Sequence, residues 1–107
     1  MSKLEDRQKG FENKFARDAE LEFKATARRN KLVGLWAAEK LGKTGEDAIA
    51  YAKDVVIADL ESAGDNDVIG KLLNDFGRAG LHVPVTEIEQ ELLRQMPIAR
   101  DQIAKGH

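Results

Sequence analysis

The sequence has no cysteine, which excludes disulfides, thiolate zinc sites and cysteine nucleophiles. Its two histidines, His82 and His107, lack the i, i+4 spacing of a helical metal site. Apolar stretches such as Leu35 to Ala38 are far shorter than the roughly 18 residues that a membrane-spanning helix needs. The acidic residues are scattered rather than paired on one apolar face. We therefore expect no enzyme activity, no metal site and no direct membrane insertion.

A strongly basic charge is also absent, because the net charge at pH 7 is −2, and we expect no nucleic-acid partner. The charge is distributed unevenly along the chain. Residues 1–43 contain eleven Lys and Arg against seven Asp and Glu, whereas residues 44–107 contain six against twelve. The first ten residues are charged throughout, unlike a targeting segment, so we expect a cytoplasmic protein.

No segment alternates apolar and polar residues, and the Gly and Pro positions leave room for four helices. We predict a first helix from about Asp18, as N-cap, to Leu41, with Gly42 as its left-handed stop. A second helix should open at Thr44 with Asp47 in the reciprocal capping position, and end near Gly64. The predicted fold class is all-α: a four-helix bundle with a flexible, partly helical N-terminal arm.

The third helix should begin after Asp65 or Asn66, and the fourth after Thr86. The third should cap on Asp65 to Asp67 and end at Gly80, with Leu81 folding back on Phe76. The fourth carries a capping box, Thr86 with Glu89. It contains Pro97, but the helical spacing of its apolar residues continues past this proline, so one kinked helix is favoured over two. The predicted buried stripes are Ile49, Ala52, Val56 and Leu60; Val68, Ile69, Leu72, Leu73 and Phe76; and Ile88, Leu92, Met96, Ala99 and Ile103. The first helix is apolar on two opposite sides, so we expect it to be central in the core. One side carries Leu21, Ala25, Leu32 and Trp36, and the other carries Phe23, Ala27, Ala38 and Leu41.

Residues 1–17 differ from residues 18–107, which form the predicted bundle. The segment, called the arm below, carries eight charged residues and few large apolar ones, too little apolar surface to offset the cost of ordering it alone. Its large apolar residues are Leu4, Phe11 and Phe15, at i, i+7 and i+11, so they share one face when the arm is helical. A helix continuous with the first one would project from the bundle and suits binding into a groove of a partner protein. The alternative is an ordinary frayed terminus.

Two motifs imitate ligand sites. Residues 37–44 loosely match a phosphate-binding loop, but they finish a helix instead of following a strand. What remains is Lys43 beside Thr44 at the start of the second helix, where free amides attract anions, and we expect at most weak phosphate, ATP or ADP contact there. The cluster at Arg28 to Lys31 points in several directions on a helix, so we expect salt bridges within the bundle or to an acidic protein surface.

At this cluster the sequence resembles the zeta subunit family of alphaproteobacterial F-type ATP synthases, small helical ATPase inhibitors. The resemblance extends from the arm through the third helix and weakens after about Pro84. The residues that carry it most specifically are Phe23-Lys24, Ala27-Arg28-Arg29-Asn30-Lys31-Leu32 and Gly34-Leu35-Trp36-Ala37-Ala38.

This resemblance implies an N-terminal segment that enters the catalytic sector of the synthase, formed by the alpha, beta and gamma subunits, and blocks rotation in the hydrolytic direction, in the manner of the mitochondrial ATPase inhibitor. By position, Trp36 and its neighbours are implied to be structural. Two departures are Gly10, where the family often has alanine, and Pro97. Carried over by position, the implied partner-binding residues are Leu4, Asp6, Arg7, Phe11, Lys14 and Phe15.

We expect a monomer when the protein is free, located at the cytoplasmic face of the inner membrane when bound, and no required cofactor. Two alternatives stay open. One is a helical nucleotide- or phosphate-sensing module without inhibitory activity, acting at Lys43 and Thr44. The other is a helical adaptor of an unrelated complex.

Overall fold

The structure, a computed structural model, describes the backbone of residues 3–60 and 64–106 and the side chains of residues 18–60 and 64–106. Four helices follow one another: α1 (Lys3–Lys40), α2 (Gly45–Leu60), α3 (Asn66–Arg78) and α4 (Val85–Ala104). Helix α1 packs against α2 and α4, and α3 contacts both of these. The all-α prediction of four packed helices is confirmed. Over the described residues, no helix is both long and apolar enough to cross a membrane.

Helix α1 begins at Lys3, so the prediction of an N-cap at Asp18 is wrong. The helix continues through residues 11–33 because no glycine or proline interrupts them. Its 38 residues correspond to about 57 Å at 1.5 Å per residue, which accounts for most of the 65 Å long axis of the molecule. The division of the chain at residue 17 and the flexibility of the arm stay predictions.

Two of the predicted helix ends are confirmed in detail. At the end of α1, Gly42 has a φ of +76°, and the Lys43 amide donates to the Ala38 carbonyl at 2.9 Å. At the end of α3, Gly80 has a φ of +75°, and the Leu81 amide donates to the Phe76 carbonyl at 2.8 Å. Both are Schellman ends, in which glycine takes the left-handed conformation without a Cβ penalty.

The predicted start of α4 is wrong by two residues. The N-cap is Pro84, whose φ of −64° and ψ of 148° lead into a helix that begins at Val85. Thr86 is therefore already inside the helix, and no side-chain cap bond forms there. Helix α4 does run through Pro97 as one element, as predicted. Pro97 removes the bond to the carbonyl of Leu93, and both residues are exposed, so water can satisfy that carbonyl.

The core lies where α1, α2, α3 and α4 meet, and the predicted stripes of α3 and α4 are confirmed as buried or half-buried. The prediction for α2 is partly wrong. Ala52 is buried and Val56 is half-buried, as predicted, but Ile49 and Leu60 are exposed, and Tyr51 and Val55 are buried instead. Phe23 on α1 is exposed as well. The buried residues of the core cluster are Val33, Ala37, Ala38, Tyr51, Val55, Val68, Leu72, Phe76, Ile88 and Leu92.

Helix α2 turns Tyr51 and Val55 inward because α1 and α2 approach each other closely at Gly34. A Cβ placed on Gly34 would lie 2.7 Å from the Cα of Ala52 and 3.2 Å from the Cβ of Val55. Only a residue without a side chain permits this spacing, and the small Ala52 is its partner. The contact therefore selects which face of α2 is buried.

Candidate functional site

The six residues predicted to bind a partner lie in the N-terminal part of α1. The backbone of this part is helical from Lys3 onward. The side chains of these residues lie outside the described residues, so their roles stay predictions. They are Leu4, Asp6, Arg7, Phe11, Lys14 and Phe15.

The described part of α1 nearest to the arm packs against the end of α4. The Arg100 guanidinium donates to Glu22 at 2.7 Å, and this hydrogen bond, opposed by burial, lowers the pKa of Glu22. A groove of about 260 Å³ lies between the two helices at this end. It is lined from Asp18 to Ala25 on α1 and from Arg100 to Ala104 on α4. Since α4 ends at Ala104, the groove marks one end of the four-helix body.

The basic cluster of α1, Arg28 to Lys31, forms a salt bridge and hydrogen bonds within the bundle, as predicted. The buried Arg29 donates to Asp65 Oδ1 at 2.6 Å and, through its Nε and Nη2, to Asn30 Oδ1 at 3.1 and 2.9 Å. Arg28 donates to Gln102 of α4 at 2.9 Å. Asn30 is fully buried, and its Nδ2 has no hydrogen-bond partner among the described residues. The cluster therefore ties α1 to α4 and to the start of α3.

Asp65 does not cap α3 with its side chain, contrary to prediction. It occupies the N-cap position, but no side-chain cap bond forms, because its carboxylate pairs with Arg29. A charged donor gives a stronger hydrogen bond to a carboxylate than a backbone amide does. The pairing fixes the entry into α3 against α1.

Trp36 packs against the core, in keeping with the structural role that the resemblance implies. Its ring meets Phe76 edge to face at a centroid distance of 6.0 Å. The Lys40 ammonium lies 5.1 Å from the Trp36 ring and 3.2 Å from Glu87 of α4. These contacts hold the C-terminal half of α1 in the bundle.

Lys43 and Thr44, the predicted phosphate contacts, are both exposed between α1 and α2. Lys43 lines a depression of about 360 Å³ whose wall also includes Lys71 and Arg78 of α3. Thr44 is not part of this wall. Lys71 and Arg78 are distant from Lys43 in the sequence, and their i, i+7 spacing on one face of α3 links them only to each other, so the sequence did not predict their place beside Lys43.

A hydrogen-bonded group forms the floor of this depression. The Tyr51 hydroxyl donates to Asp75 at 2.7 Å, and Lys71 donates to the same carboxylate oxygen at 3.0 Å. Burial and this bond raise the pKa of Tyr51 above its usual range. Burial raises the pKa of Asp75, but the bonds from Tyr51 and Lys71 outweigh it and lower the pKa overall. Lys43 and Lys71 also lie 5.8 and 5.0 Å from the Tyr51 ring.

Among the described residues, no group of three or more His, Cys, Asp or Glu side chains could hold a metal ion.

A structure determined by solution NMR is similar to this chain, with 45% sequence identity and a TM-score of 0.72. The match covers 81% of this chain and 99% of that one. No curated protein matches the sequence.

The match to a family covers nearly the whole chain. Residues 1–102 match the family described as ATPase inhibitor subunit zeta. The matched range includes the arm, the Arg29 cluster and most of α4, so it does not rest on the central block alone. The chain belongs to the ATPase inhibitor subunit zeta family.

Proposed function

We propose that this protein stops ATP hydrolysis by placing the arm, residues 1–17, into the catalytic sector of the F-type ATP synthase. Family membership implies inhibition of the F-type ATPase and binding to the synthase. The proposal adds the segment that binds and the place where it binds, among the alpha, beta and gamma subunits.

One observation supports the arm as the inhibitory element: α1 is much longer than the helices packed beside it. At 1.5 Å per residue, α1 spans about 57 Å, while α4, the next longest, spans about 30 Å. The C-terminal end of α4 meets α1 at Asp18 to Ala25. A helix that continues beyond its neighbours is available for binding to a partner.

The arm supplies suitable chemistry for that contact. Leu4, Phe11 and Phe15 recur at i, i+7 and i+11, a spacing that gives a helix one apolar edge for a groove. Large aromatic anchors contribute most of the binding energy in such interfaces. The charged Asp6, Arg7 and Lys14 would then set orientation and the rate of approach.

The test is the double variant Phe11→Ala with Phe15→Ala in the full-length protein. Because a buried aromatic anchor contributes at least about 2 kcal/mol, losing two should weaken binding roughly a thousand-fold and abolish inhibition at ordinary concentrations. The matched control is Leu93→Ala, which removes an exposed apolar side chain on α4. Inhibition of ATP hydrolysis is measured on the purified cognate synthase, and thermal melts check folding. Normal inhibition by the folded double variant would refute the proposal.

A second candidate, phosphate or nucleotide sensing, is favoured by the depression beside Lys43. Lys43, Lys71 and Arg78 converge there, while Asp75 neutralises Lys71. Titration with ATP, ADP and inorganic phosphate should then shift the amide resonances of Gly42 to Gly45 and of Arg78 saturably. An Arg78→Gln variant should lose this response. The absence of any shift at those amides would remove this candidate and leave the inhibitor proposal intact.

A further inference from the structure

Helix α2 directs apolar side chains away from the core. Ile49, Ile57 and Leu60 are 59%, 48% and 61% exposed, although the helix buries Tyr51, Ala52 and Val55 on its other side. Phe23, on the turn of α1 that lies beyond the end of α2, is 63% exposed. Scattered exposed apolar residues are common on protein surfaces, but several on one side of two packed helices indicate a binding surface.

The position of Gly34 shows how these residues are arranged. Gly34 lies level with Ala52 and Val55 of the antiparallel α2. Helical spacing then places Lys31 of α1 near the last two turns of α2, and Phe23 beyond Leu60. Helix α3 packs on the opposite side of this helix pair, through Arg29 to Asp65 and Tyr51 to Asp75. We call the solvent-facing side the outer face; it consists of Phe23, Lys31, Ile49, Lys53, Ile57 and Leu60.

The two lysines of the outer face are unlike most of the other described cations. Most described Lys and Arg side chains bond a carboxylate or amide or lie over an aromatic ring, for example Arg29, Lys40 and Arg100. Within residues 18–60 and 64–106, neither Lys31 nor Lys53 has an ion pair, hydrogen bond or ring contact. Lys53 lies within the apolar stripe itself, between Ile49 and Ile57. The outer face thus presents apolar side chains together with two unpaired lysines, and the exposed Glu46 lies at the end of the same stripe of α2.

We propose that the outer face is a second docking surface, which binds an apolar, carboxylate-bearing patch on the catalytic sector of the synthase. The proposal rests on the proposed function, because it places this patch beside the groove that receives the arm. Phe23 lies eight residues after Phe15 on the same helix, or about 12 Å. A partner that surrounds the arm therefore reaches the outer face without any rearrangement of the bundle.

The charges argue against a second copy of this chain as the occupant. If α2 packed antiparallel on α2 of another copy, the two Lys53 side chains would come together near the centre of the contact. Like charges in a desolvated contact oppose association. A partner with carboxylates at this place pairs with both lysines instead. Two contacts on one rigid helix pair also raise the affinity of the arm by holding it near its groove.

The first test compares two full-length variants that add negative charge to exposed apolar positions. One is Ile57→Glu with Leu60→Glu on the outer face. The other is Leu93→Glu on α4, where the side chain is 75% exposed. Binding to the immobilised catalytic sector is measured by interferometry, with melting curves as the folding control. We expect Kd to rise at least tenfold for the first variant and not for the second, while saturating protein still inhibits fully.

The second test removes the charges. Lys31→Glu with Lys53→Glu should slow association several-fold at low salt, and the difference from wild type should shrink as salt is added. The outer-face proposal would be overturned if the Ile57 and Leu60 variant bound as tightly as wild type, or if Leu93→Glu lost as much affinity. Inhibition by wild-type protein would still support the arm proposal in that case. Normal inhibition by the Phe11 and Phe15 variant would instead overturn the arm proposal, so the two failures are distinct.

Discussion

We predict that Gly34→Ala destabilises the protein, although alanine has the higher helix propensity. In an exposed helix interior, replacing glycine with alanine stabilises the helix by about 1 kcal/mol. At Gly34 the added Cβ would lie 2.7 Å from the backbone Cα of Ala52, where carbon atoms prefer about 3.5 to 4 Å. Helices α1 and α2 must therefore separate by about 1 Å. The obstacle is backbone, so it cannot rotate away as a flexible side chain would.

Overpacking of this kind costs about 1 to 3 kcal/mol, and a backbone obstacle favours the upper end of that range. After subtracting the propensity gain, Gly34→Ala should lower the free energy of unfolding by about 2 kcal/mol. The melting temperature should fall by about 8 °C, at about 4 °C per kcal/mol for a domain of this size. Thermal and urea unfolding followed by circular dichroism measure both quantities.

The matched control is Gly70→Ala in α3. A Cβ on Gly70 meets no atom within 4 Å, and its φ is not left-handed, so only the propensity gain remains. This variant should be more stable than wild type by about 1 kcal/mol. The two alanine variants should therefore shift stability in opposite directions. If Gly34→Ala were as stable as Gly70→Ala, the close approach of α1 and α2 would not exist as described.

Two further predictions concern charged groups. Asp65→Ala should lower stability by about 1 to 3 kcal/mol in urea unfolding, because it leaves the buried Arg29 unpaired, although Asp65 itself is partly exposed; an unchanged unfolding midpoint would contradict this. The bond from Arg94, opposed by burial and aided by Gln95, lowers the pKa of Glu91. Its stabilising effect is present above the unfolded pKa of about 4.3 and lost as the pH falls through the lower folded pKa, so wild type should lose more stability than Glu91→Gln between about pH 5 and pH 2. Parallel pH profiles of unfolding would contradict that prediction.

The inhibitor assignment agrees with the absence of catalytic machinery in the sequence. Zeta subunits are inhibitors and not enzymes, which confirms the expectation of no enzyme activity. The expectation came from missing chemistry: no cysteine, two separated histidines and no paired carboxylates. The absence of such groups predicts the class of function better than it predicts the partner, because a partner is recognised through surfaces that the fold assembles.

Local signals determined most of the helix ends. Gly42 and Gly80 end their helices because the left-handed Schellman position costs glycine little. The apolar phase of α4 also predicted one helix through Pro97, whose exposed position makes the lost bond tolerable. These features depend on a few neighbouring residues, so the sequence is sufficient for them. The start of α1 was missed because Asp18, a good cap by type, lies inside an uninterrupted helical stretch.

Contacts between distant residues decided the rest. Helix α2 contains two apolar stripes, and periodicity alone cannot choose between the one with Ile49 and the one with Tyr51. The close approach of Gly34 to Ala52 and Val55 made that choice, and it left Ile49, Ile57 and Leu60 facing outward. Likewise, Asp65 pairs with Arg29 rather than capping α3. The sequence determined which segments are helical and where most of them stop, since those interactions are local; only tertiary packing decided which faces are buried and which remain for a partner, since burial depends on what each helix meets.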